Sequence, residues 1–66
     1  MSVLRERILQ RLAAKRAEYE DYRRHLEFRV KEEDLHGIWD CGSNMSEVSN
    51  YIDGLQFCLD LLPEDL

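Results

Sequence analysis

The sequence predicts an all-α fold: a two-helix antiparallel hairpin that dimerises into a four-helix bundle or coiled coil. Three observations lead there. Residues 3–32 contain neither glycine nor proline and are rich in Leu, Ala, Arg, Lys and Glu, which favour helix. Residues 38–62 carry apolar side chains at an unbroken three-four spacing. The segment between them is short enough to make two helices antiparallel neighbours. With 66 residues there is room for one domain, spanning 1–66. A chain of this length buries only roughly 60% of its unfolded surface, which leaves little margin for a deep catalytic cleft.

The first helix is expected over about 3–32. Its apolar stripe is Ile8, Leu12, Tyr19, Tyr22 and Leu26, with Lys15 at the position skipped between Leu12 and Tyr19. Leu4, Leu9 and Val30 flank it. Glu20 with Arg24 and Glu27 with Lys31 have the favourable i,i+4 orientation and read as support on a solvated face. The turn is expected over about 32–34, at Glu32-Glu33-Asp34, with Asp34 as N-cap of the next helix. Arg29 and Lys31 suit the negative end of the first helix dipole, and the acids suit the positive end of the second.

The second helix is expected over about 35–62. Ile38, Cys41, Met45, Val48, Ile52, Leu55, Leu59 and Leu62 form one heptad seam. The seam passes through Cys41-Gly42-Ser43-Asn44, which by composition alone resembles a loop. The periodicity outweighs the composition. The competing start is Asn44, with Glu47 completing a capping box. Pro63 stops the helix and leaves a short acidic tail over 63–66.

The net charge of −5 conceals a partition. Residues 1–31 hold all nine basic residues and five acids, net +4, whereas residues 32–66 hold nine acids and no base. An antiparallel hairpin sets the basic start of the first helix opposite Asp53, Asp60 and the tail, so the halves are expected to compensate each other internally. The two cysteines, Cys41 and Cys58, would lie about 25 Å apart on one helix. An internal disulfide needs Cα atoms within about 7 Å, so buried, reduced thiols are expected instead. The start of the chain reaches charge at once, without the apolar core of a signal peptide. The apolar stretch from Leu55 to Leu62 is far shorter than the roughly 20 residues of a membrane span. A cytoplasmic protein is expected.

Four groups of residues could carry function. Trp39, Tyr51, Phe57, Cys58 and Leu61 are apolar residues outside the seam, a surplus that points to an oligomer or partner interface. Trp39, near the turn, has an alternative role in packing at the bundle end. His36, Asp40, Asn44 and Glu47 fall on one polar line, a capping or hydrogen-bonding cluster in the first instance. A metal would need further ligands, with His25 as the candidate, so no metal and no cofactor are expected. Arg7, Arg11 and Lys15 form a basic line at i,i+4,i+8, a face that dimerising hairpins can present to RNA. The overall acidity opposes a strong phosphate site, so nucleic acid is not the expected partner. No nucleophile elbow, phosphate loop, zinc motif or dinucleotide fingerprint is present, and no enzymatic activity is expected.

The stretch Asp34-Leu35-His36-Gly37-Ile38-Trp39-Asp40-Cys41-Gly42-Ser43-Asn44-Met45-Ser46-Glu47-Val48 resembles a segment of short phage and prophage helical-hairpin proteins. Their second helix starts Asp-(Trp/Leu)-His, followed by small residues and an amphipathic run. The resemblance covers about 15 of the 66 residues and implies a small all-α phage protein acting in the host cytoplasm. Three expectations follow. The leading one is a non-enzymatic protein–protein interaction module that self-associates as a dimer and binds a protein partner, for a phage protein a host protein. The others are an acidic inhibitor of a host or defence protein that mimics nucleic acid, and an RNA-binding bundle using the basic half of the first helix.

Overall fold

The computed structural model describes residues 3–63. They form two α-helices, α1 (Val3–Lys31) and α2 (Leu35–Leu61), packed against each other along their length as an antiparallel hairpin. The expected tail lies outside the described residues except for Pro63. No described helix is long and apolar enough to cross a membrane.

Helix α2 starts at Leu35 and runs unbroken through Cys41-Gly42-Ser43-Asn44, so Asn44 does not begin it. The seam explains why the helix tolerates these weak formers. Cys41, Met45 and Val48 sit on consecutive turns of the buried or half-buried stripe, and their packing offsets the low propensity of Gly42 and Ser43. Every seam residue of α2, from Ile38 to Leu62, is buried or half-buried, as are Ile8, Leu12, Tyr19, Tyr22 and Leu26 on α1. Flanking Leu4, Leu9 and Val30 are exposed.

The turn is built by two overlapping devices. Glu33 donates its N–H to the Val30 carbonyl at 3.1 Å, and Asp34 donates to the Arg29 carbonyl at 3.0 Å. These are the paired bonds of a left-handed helix stop, and Glu33 takes the left-handed conformation they require, with φ 53°. Asp34 then caps α2: its side chain accepts the Gly37 N–H at 3.0 Å while its carbonyl accepts from Ile38 at 2.8 Å. Arg29 Nη1 reaches back to Asp34 Oδ2 at 3.2 Å. One aspartate thus closes the first helix and opens the second. At the far end Leu62 is extended, as the residue before a proline must be, and its N–H bonds to Leu59.

The hairpin is slender, 50 × 14 × 10 Å, with a radius of gyration of 15.2 Å. A compact chain of this length has a radius of gyration of roughly 11 Å. Among the described residues only Leu12, Cys41 and Val48 are buried.

Surface ion pairs differ from the expected i,i+4 register. Glu20 pairs with Arg23 at 3.1 Å and Asp21 pairs with Arg24, both at i,i+3. Glu27 and Lys31 form no ion pair among the described residues. The two spacings are close in energy on an exposed helix, so the local rotamers decide.

Candidate functional site

The open end of the hairpin shows how the charge partition is resolved. Arg5 on α1 donates from Nη2 to the carbonyls of Leu62 at 3.3 Å and Pro63 at 2.7 Å. It thereby satisfies acceptors that a helix end leaves unpaired. Arg16 Nη2 reaches Gln56 Oε1 at 3.5 Å, and Gln56 Nε2 donates to Asp60 Oδ1 at 3.0 Å. Direct ion pairs from α1 to Asp53 or Asp60 do not occur among the described residues. Among the described residues, the basic side chains of α1 reach carbonyls and a glutamine of the facing segment. Asp53 lies exposed, and the tail acids lie outside the described residues.

The basic line is only partly open. Arg7 and Arg11 are exposed and line a shallow groove of about 460 Å³ with Ile8, Gln10, Ala14, Tyr51 and Leu55. Lys15 is half-buried. Its Nζ lies 3.2 Å from Glu18 Oε2 and 4.6 Å above the Tyr51 ring. A seam position between Leu12 and Tyr19 draws the lysine stem inward, while its ammonium finds a carboxylate and an aromatic face.

The four-residue polar cluster does not assemble. His36 Nε2 stands 3.3 Å from Asp40 Oδ2, both exposed on the outer surface of α2. Asn44 and Glu47 instead line a separate groove with Lys15, Glu18, Tyr22 and Val48. The line keeps to one side of the helix but spreads over roughly 16 Å of its length, so its two ends do not meet. His25 is exposed, and no group of three His, Cys, Asp or Glu able to hold a metal ion occurs among the described residues.

The apolar set outside the seam is all at the surface: Trp39, Tyr51, Phe57, Cys58 and Leu61 are exposed. Trp39 does not pack at the bundle end. It sits on the side of α2 opposite its seam and is 73% exposed. The expectation of two buried thiols holds for Cys41 but not for Cys58. Cys58 lies one position before the seam residue Leu59 and lines an almost wholly apolar surface hollow with Tyr51, Gly54 and Leu55. Leu35 joins the exposed set. Its place four residues before Trp39 was the available signal, obscured because it opens the helix.

No family model, no curated protein and no solved structure matches the chain.

Proposed function

We propose that the chain is a non-enzymatic protein–protein interaction module that self-associates through α2 and binds a protein partner as an assembled helical bundle. The observation that carries this reading is the imbalance of apolar surface. Ten large apolar residues among those described are exposed, against three buried. Five of the ten lie on α2, and exposed apolar surface of this extent on so small a chain points to an interface, since small scaffolds without staples stabilise themselves by association. The basic face supports a protein over an RNA partner. With Lys15 committed to Glu18 and Tyr51, two arginines remain on a chain of net charge −5, a weak field for phosphates. Sedimentation equilibrium tests the reading. A dimer at micromolar concentration is expected, dissociated by Phe57→Glu or Leu61→Glu. A stable monomer under those conditions would sink it.

A further inference from the structure

The face of α2 turned away from α1 has a pattern of its own. Trp39 and Phe57 each lie nine residues from buried Val48, about two and a half helical turns, and so stand opposite the seam. Trp39 is 73% exposed and Phe57 65%. Four residues further out lie Leu35, 81% exposed, and Leu61, 67% exposed. Between the aromatics the face carries mostly short residues, Gly42, Ser43, Ser46, Asn50 and Gly54, with exposed Asp53 as its one charged side chain. Open space lies over both glycines. From either end inward the order is leucine, aromatic, glycine, short polar residue.

A helix that is apolar on two opposite sides belongs inside an assembly. Charge agrees: α2 has four charged residues in 27, all acidic, whereas α1 has 14 in 29. We propose that this face joins two copies of the chain, α2 against α2 in antiparallel orientation, about a two-fold axis level with Val48 and with the α1 helices outside. The proposal rests on the self-association reading and adds to it the surface and the orientation.

A two-fold contact sets residue i against j and j against i. About Val48, Leu35 stands level with the partner's Leu61, Trp39 with the partner's Phe57, Gly42 with the partner's Gly54 and Ser46 with the partner's Asn50. Each aromatic therefore meets an aromatic, at two points roughly 27 Å apart. The short residues between them let the backbones approach. A trough of about 360 Å³ lined by Ile38, Trp39, Gly42, Ser43 and Ser46 lies at the level of the partner's Phe57. Buried aromatics in such hollows are the usual anchors of an interface.

Charge selects the orientation. By sequence, residues 1–16 with 48–66 sum to zero, and the turn half, residues 17–47, has −5. Antiparallel copies set each acidic turn half beside the other's neutral half. Parallel copies set −5 against −5. Area agrees with a single contact of ordinary size. The chain exposes 5294 Å², about 900 Å² more than the roughly 4,400 Å² of a compact monomer of its mass. A standard interface takes about 800 Å² from each partner.

Sedimentation equilibrium of the whole chain separates this proposal from the reading beneath it. A wild-type chain that is monomeric at micromolar concentration removes self-association, and this contact with it. In a dimeric wild type, Trp39→Lys and Phe57→Glu should each weaken the dimer about a hundredfold. Mixing the two variants should restore affinity to within about tenfold of wild type. In the mixed pair the introduced lysine faces the introduced glutamate at one end, and native Trp39 faces native Phe57 at the other. Single variants that remain fully dimeric overturn the face, and a mixture as weak as its components overturns the antiparallel register. Should the variants lose their helical circular dichroism, cross-linking decides in a Cys58→Ser background. A short bis-maleimide should join Leu35→Cys chains to Leu61→Cys chains. Products joining like to like overturn the orientation, and a dimer that yields no product overturns the face.

Discussion

A methyl group at Gly37 would stand 2.5 Å from Asp34 Oδ2 and 2.8 Å from Arg29 Cδ. That crowding packs the side chains of Arg29 and Asp34 directly over the Gly37 backbone. Replacing a helical glycine by alanine ordinarily adds about 1 kcal/mol of stability. Here the methyl meets the Asp34 Oδ2 and Arg29 Cδ that form the ion pair, so Gly37→Ala should shift that pair and raise the thermal midpoint by less than the usual gain. Asp34→Ala should cost about 1 kcal/mol through the lost cap. Asp34→Asn keeps an acceptor for the Gly37 N–H and should cost less. At Glu33 the sign reverses: the left-handed backbone strains any residue with a Cβ, and Glu33→Gly should stabilise by about 1 kcal/mol in urea unfolding. The thiols differ in access. A thiol reagent should label one cysteine per folded chain rapidly, with labelling lost in Cys58→Ser, while Cys41 reacts only as the hairpin opens.

At the scale of the helices, the seam carries the pairing. Leu12 is 2% exposed and faces the buried side of α2, so Leu12→Ala should cost about 2–5 kcal/mol and unfold much of the chain, read as loss of helical circular dichroism. Replacing the exposed Leu9 by alanine should leave the midpoint nearly unchanged. This division was legible in the sequence, because period alone separates Leu12 from Leu9. So were the extent of both helices and the N-cap at Asp34, where spacing and cap chemistry agree. The left-handed Glu33 was not legible. Its conformation is imposed by closing two helices over three intervening residues, and glutamate carries no signal for it. The ion-pair register was equally hidden, since i,i+3 and i,i+4 partners differ by less than the rotamer energies that choose between them. The polar line on α2 was visible, but its failure to converge depends on where α1 lies beside it. Trp39 and Cys58 were legible as candidates for an interface. What misled was the tendency of such residues to be buried, which on a two-helix chain has only one side to act on.

For the whole molecule, the slender shape means that folding and association are one problem. Three buried residues among those described, in a hairpin 50 Å long, are a slight core. The hydrophobic gain available within one chain scarcely offsets ordering two long helices. If α2 completes its burial against a second copy, the folded state gains stability by mass action and the unfolded chain does not. The thermal midpoint should then fall as the protein is diluted, since each tenfold drop removes about 1.4 kcal/mol per mole of dimer. For a domain of this size that corresponds to several degrees. A series of melts over three decades of concentration, followed by far-ultraviolet circular dichroism, measures it directly. The Phe57→Glu chain should melt lower than wild type and with a midpoint independent of concentration, because it has lost the dimer but not the seam. A wild-type midpoint that stays constant across the series would mean that the hairpin's own seam is sufficient, and that the outer face of α2 contributes nothing to holding the helices together.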